Sequence, residues 1–119
     1  MRFIKFILPV LVLIAMPISW AVAASPIINS HRIVHTLNTR NEIIRVSANE
    51  PVIFMMWYCP GNVAAPTAAA GCQWIDDSAV YKPNYNVKMT GLTPGLYTYR
   101  VQIVNQKGLG ETVDGEFQN

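Results

Sequence analysis

The stretch Gly91–Glu111, "GLTPGLYTYRVQIVNQKGLGE", decides the fold class. A turn rich in Gly and Pro feeds a run in which Tyr97, Tyr99, Val101 and Ile103 alternate with Thr98, Arg100 and Gln102. Side chains alternate between the two faces of a strand, so this pattern marks a strand with one side buried. "NQKGLG" then turns the chain, and "ETVDGEF" returns with Val113 and Phe117 directed inward. A strand, a tight Gly-punctuated turn and a second strand form an antiparallel hairpin.

Upstream of this hairpin, β-branched and aromatic residues keep the same rhythm, and no segment carries a helical period. "HRIVHT" and "EIIRVSA" read as the first two strands, with "NTRN" turning between them and Ile44, Val46 and Ala48 on one face. "NEP" reads as a second turn, after which "VIFMMWYC" is apolar on both faces and reads as the central strand. "CQWIDDSAVY" is expected to hold one or two short strands, and in "YNVKMTGL" Tyr85, Val87 and Met89 alternate with polar residues. Short strands with a turn every few residues predict an all-β, antiparallel two-sheet sandwich of about seven strands.

The N-terminus has a different character. "MRFIKF" supplies Arg2 and Lys5, "ILPVLVLIAMPISW" is apolar, and "AVAAS" offers cleavage after Ala23 or Ala24. This is the layout of a secretory signal peptide over residues 1–24, leaving one domain at 25–119 that is exported, either periplasmic or secreted. Two prolines interrupt the apolar run, which is short for a membrane anchor, so no membrane span is expected in the mature chain. Of nine Lys+Arg, Arg2 and Lys5 leave with this segment, and seven remain against seven Asp+Glu. A formally neutral chain without a basic stripe does not read as a nucleic-acid binder.

Cys59 and Cys72 are the two cysteines of the chain. An exported pair reads as a disulfide, the alternatives being free thiols or a partial metal site. The bridge would cinch "PGNVAAPTAAAG", whose small and turn-forming residues cannot build a core.

The second half of the chain resembles immunoglobulin-like and fibronectin type III-like modules. The resemblance rests on Trp57 in an early apolar strand, on Leu92 and Pro94 ahead of Tyr97, and on Val101, Asn105, Gly108 and Gly110. It implies a structural role for Trp57, Leu92 and Tyr97, with Tyr97 as the tyrosine corner whose hydroxyl bonds main chain a few residues upstream. One departure is plain: antibody-type domains bridge their second and sixth strands, whereas Cys59 and Cys72 flank a single loop.

Nothing in the sequence reads as catalytic. His31 and His35 stand four apart in a strand context, about 13 Å along the chain, too far for one metal ion. Asp76 and Asp77 are adjacent, and strand neighbours point to opposite faces, so they make no acid/base pair. No nucleophile elbow or phosphate loop is present. The expected function is therefore non-enzymatic, with no cofactor and no metal: a protein-binding or assembly module whose partner is another protein of a cell-envelope assembly. Two features point to where it binds. With Ile53, Met55 and Trp57 set toward the core, Val52, Phe54, Met56 and Tyr58 would face outward, as an interaction stripe or a surface covered by the loop. The tethered loop, with Trp74 and Tyr81 beyond it, is the other candidate; these aromatics either recognise a partner or plug the end of the sandwich. The alternatives in other classes are a small inhibitor or immunity protein plugging a partner's active site, and a carbohydrate-binding module stacking sugars on Trp74.

Overall fold

The computed structural model describes residues 24–119; the signal-peptide reading of residues 1–24 therefore falls almost wholly outside it. Five strands carry the chain: β1 (Ile28–His35), β2 (Glu42–Pro60), β3 (Gln73–Met89), β4 (Leu96–Asn105) and β5 (Gly110–Gln118). All pairings are antiparallel, in the order β1-β2-β4-β5, with β3 on the other edge of β2. The sheet curls into a half-barrel around one core.

β2 and β3 are the long elements, and each runs where two shorter strands were expected. The first half of β2 pairs with β1 and with the end of β3; its second half pairs with β4 and with the start of β3. Between these halves the β2–β3 ladder breaks twice, in opposite senses. Four β2 residues, 48–51, stand opposite Pro83 alone, and four β3 residues, 78–81, stand opposite Ile53 alone. Pro51 and Pro83 lie at this break, where a residue without an N–H costs the ladder nothing. "NEP" is thus a corner inside one strand rather than a turn between two.

The corner changes the pairing partner without changing the pleat. Ile44, Val46, Ala48, Val52, Phe54, Met56 and Tyr58, all even-numbered, point into the core along the whole of β2. This reverses the expected faces of "VIFMMWYC". Phe54 and Met56 are fully buried and Tyr58 nearly so, and they are no interaction stripe; Ile53, Met55 and Trp57 lie on the outer face, half-buried. Counted as a single strand from Glu42, the even positions were the apolar face throughout. A turn at "NEP" reset that count.

Against this row pack Tyr85, Val87 and Met89 of β3, Tyr97, Tyr99, Val101 and Ile103 of β4, Leu92, and Phe117 of β5. Phe54 and Tyr85 stack with ring centroids 5.2 Å apart, joining the two halves of the curled sheet.

Three buried phenols hold the frame. The Tyr85 hydroxyl lies 2.6 Å from the Val52 carbonyl and 3.0 Å from that of Val80, so its one hydrogen is shared by both sides of the corner. Burial, with the charge of Asp77 adding to it, raises the Tyr85 pKa above 10.0 and keeps the hydroxyl a donor. The Tyr97 hydroxyl accepts the Thr93 N–H at 2.9 Å, pinning the turn before β4 to its first residues. The Tyr99 ring crosses over Gly115, its cross-strand neighbour, and its hydroxyl meets His31 Nδ1 at 2.7 Å.

Asn105 closes the other end of the hairpin. Its Oδ1 accepts from the Lys107 and Leu109 N–H groups, both at 3.0 Å, and its Nδ2 reaches the Ala24 carbonyl at 3.2 Å. Among its partners is also Glu50 of the β2 corner, 3.4 Å away.

Tyr85→Phe removes the donor shared by the Val52 and Val80 carbonyls, and we expect it to lower stability by about 1–3 kcal/mol, read as a shift in urea midpoint at constant slope. Gly115→Ala places a methyl group inside the Tyr99 ring, and its melting temperature should fall by several degrees. Pairing that change with Tyr99→Leu should recover part of the loss.

Candidate binding face

The outer surface over β4 and the second half of β2 is built by the residues that the even-numbered core leaves facing out. Trp57 stands opposite Trp74 on β3 and opposite Arg100 on β4, and Arg100 stands opposite Asp114 on β5. One row therefore crosses four strands. The next holds Asp76, Met55, Gln102 and Thr112 in the same order. The Trp57 and Trp74 rings lie 4.2 Å apart, tilted at 42°. Trp74 keeps 43% of its surface in solvent. With Ile53, Met55 and Val104 half-buried alongside, the face has an apolar centre and a polar border, the anatomy of protein-binding patches.

Arg100 and Asp114 form the ordered part of that border. Nε donates to Oδ1 at 2.7 Å and Nη2 to Oδ2 at 2.9 Å, a forked pair. The Arg100 hydrogen bonds hold the Asp114 carboxyl below its ordinary 3.8, and Asp114 in turn raises the guanidinium. The pair fixes a charged fork beside Trp57 instead of leaving two mobile side chains there.

The Cys59–Cys72 disulfide is present, and it belongs to the same face. Cys59 lies two residues beyond Trp57 and Cys72 two residues before Trp74, so the bridge is the next rung after the tryptophan pair. The thirteen-residue separation it spans is an ordered loop. Gly61, at φ 89°, donates to the Leu96 carbonyl at 2.7 Å. The Thr98 hydroxyl donates to the Gly61 carbonyl at 3.1 Å and accepts the Val63 N–H at 3.2 Å. Pro66 is fully buried, and a 3-10 turn at Ala68–Ala70 ends at Gly71 in the left-handed region. The loop thus lies back over Thr98 and the edge of β5, leaving a hollow of about 220 Å³ beside Pro66, Asp114 and Glu116.

Of the aromatic residues singled out from the sequence, Trp74 alone combines exposure with this face. Tyr81, 38% exposed, stands in the corner bulge at the middle of β3, well removed from the loop. Trp57 is on the face instead of in the core. Leu92, in the turn before β4, and Tyr97, near the start of β4, are both buried. His31 is engaged by Tyr99, and His35 Nδ1 lies 2.7 Å from the buried Glu42 carboxylate. Sequence reading passed over Arg100 and Asp114, which lie far apart in the chain. Their one sign was opposite charge on the outward positions of two strands already read as a hairpin.

No protein-family model, curated protein or solved structure matches the chain.

Replacing both cysteines with serine should cost about 3 kcal/mol through the freed loop entropy and shift tryptophan emission, because the bridge holds the strands that carry both indoles. Asp114 should titrate below the usual aspartate range, its stabilising contribution present above about pH 4 and lost as pH falls through its lowered pKa. In Arg100→Gln the carboxyl carbon should return to an ordinary midpoint in an NMR titration.

Proposed function

We propose that this chain is an exported, non-enzymatic protein-binding or assembly module of immunoglobulin-like or fibronectin type III-like architecture. Its binding surface is the tryptophan face together with the disulfide-tethered loop. The observation that carries this is the Trp57–Trp74 pair, standing on a rigid sheet with a covalent bridge one rung away. Large aromatics held in place lose little entropy on docking and dominate binding energies where they occur.

Several features favour the architecture. The two halves of β2 and of β3 act as separate segments, making seven in all. One set joins β1, the first half of β2 and the end of β3; the other joins the start of β3, the second half of β2, β4 and β5. Layers of three and four antiparallel segments, with a tyrosine pinned upstream at the start of the penultimate one, are what that superfamily would have. The disulfide is consistent with an oxidising compartment, and no helix among the described residues is long and apolar enough to cross a membrane. A carbohydrate-binding reading draws on the same exposed Trp74 ring. An inhibitor reading has less support, since the loop is laid against the sheet and does not project from it.

Photo-crosslinking from position 102 in the native envelope tests the surface. Specific adducts with one protein, lost in Trp74→Ala and reduced when residues 61–70 become a Gly-Ser linker, would establish it. Adducts insensitive to both changes would overturn it, and quenching of tryptophan emission by glycans in place of protein adducts would move the assignment to sugars. Intact mass of the exported protein should start at Ala24 or Ser25.

A further inference from the structure

The other outer surface, over β1, the first half of β2 and the end of β3, has the opposite character. Arg32 stands directly opposite Arg45, and Lys88 lies on the neighbouring strand opposite Ile43. All three cations are exposed. Like charges facing each other across a ladder are destabilising. Among the described residues the ion pairs are His35–Glu42 and Arg100–Asp114, so neither arginine of this pair is neutralised. Around the cations lie Ser47, Asn84 and Asn86 and the half-buried Val34–Ile43 pair.

The tryptophan face carries the complementary groups. Asp76, Asp114 and Glu116 lie on it, against Arg100 alone. The charges are thus sorted by face: three cations without a carboxylate on one side of the core, and three carboxylates with one committed cation on the other. Residues 24–119 contain seven Lys+Arg and seven Asp+Glu, so the sorting gives a dipole and no net charge to keep copies apart.

We propose that the partner of the tryptophan face is the basic face of a second copy of this chain. The inference rests on the binding-face reading above and names its occupant. Charge complementarity selects the copy: Arg32 and Arg45 of one protomer would meet the Asp76, Asp114 and Glu116 border of the next. Their guanidinium planes would lie over Trp57 and Trp74, where an arginine gains both a carboxylate and an aromatic face. The repulsion between Arg32 and Arg45, unrelieved in the single chain, is relieved in that contact. The two faces are unlike and lie on opposite sides of one core. The contact is therefore heterologous, and it propagates copy by copy into a stack instead of closing as a two-fold dimer.

Sedimentation velocity of the disulfide-intact protein tests this, at about 100 µM in salt of about 20 mM and then about 300 mM. Species heavier than a dimer are expected at low salt, shrinking toward monomer at high salt. Arg45→Glu should be monomeric at both, as should the Asp76→Lys/Glu116→Lys double variant. A mixture of these two should regain heavy species, since each supplies the face the other has inverted. Circular dichroism of each variant should match the parent, because every altered side chain is exposed. Monomer at low salt overturns the proposal; so does a dimer indifferent to salt, or association that survives charge reversal. A chain that stays monomeric but whose Arg32 and Arg45 bind anionic vesicles also overturns it. Monomer throughout, with Trp74-dependent adducts to a different protein, sinks the copy-to-copy contact and leaves the binding face standing.

Discussion

The structure depends on how β2 and β3 turn the corner together. Each contributes four residues that the other matches with one, so the two excesses cancel and the ladder resumes in register on both sides. A lone excess would have shifted every later pair and placed Phe54, Met56 and Tyr58 against the wrong neighbours. At the corner the two strands are joined by a side chain as well as by the ladder. Tyr85, fully buried, supplies the hydrogen for one carbonyl on each strand. Leaving the buried Val52 oxygen without this donor would cost on the order of 1–3 kcal/mol, a large share of the stability of a domain this size.

Everything on the outer surface follows from the pleat surviving that corner. Because even residues of β2 fill the core on both sides, Ile43 and Arg45 face out on one half of the curled sheet, and Ile53, Met55 and Trp57 on the other. The core thereby takes the residues of "VIFMMWYC" that fit between the halves, among them Phe54 stacked on Tyr85. The remaining apolar residues are left for Trp74 to join. An apolar centre on a solvent-facing sheet is retained at some cost to solubility, which is the physical reason to assign it to binding.

The disulfide has a corresponding local logic. It ties the end of β2 to the start of β3 next to the Trp57–Trp74 pair, so the indoles sit beside a rung whose separation is covalently limited. The loop it closes is held further by Thr98, whose hydroxyl both donates to Gly61 and accepts from Val63. Rigid placement of the indoles, sorted charge on the two faces and a neutral total are the features on which the proposed protein contact rests.

The sequence by itself determined the all-β character, the β4–β5 hairpin and the local bridge. Alternation in "YTYRVQIVN" has one reading, Gly and Pro mark the turns, and two cysteines flanking a loop too small-chained to form a core have one favourable partner each. The same alternation could not say which face of an all-apolar strand is buried. In "VIFMMWYC" both faces are hydrophobic, and period two fixes only that neighbours differ. The decision came from the corner: Pro51 looked like a chain reversal, and it is a bulge because β3 carries a matching excess at residues 78–81, visible only once the two strands are paired. The Arg100–Asp114 fork and the sorting of charge onto two faces were likewise settled by the fold. They depend on which strands lie side by side and on which side of the core each half of the sheet comes to rest.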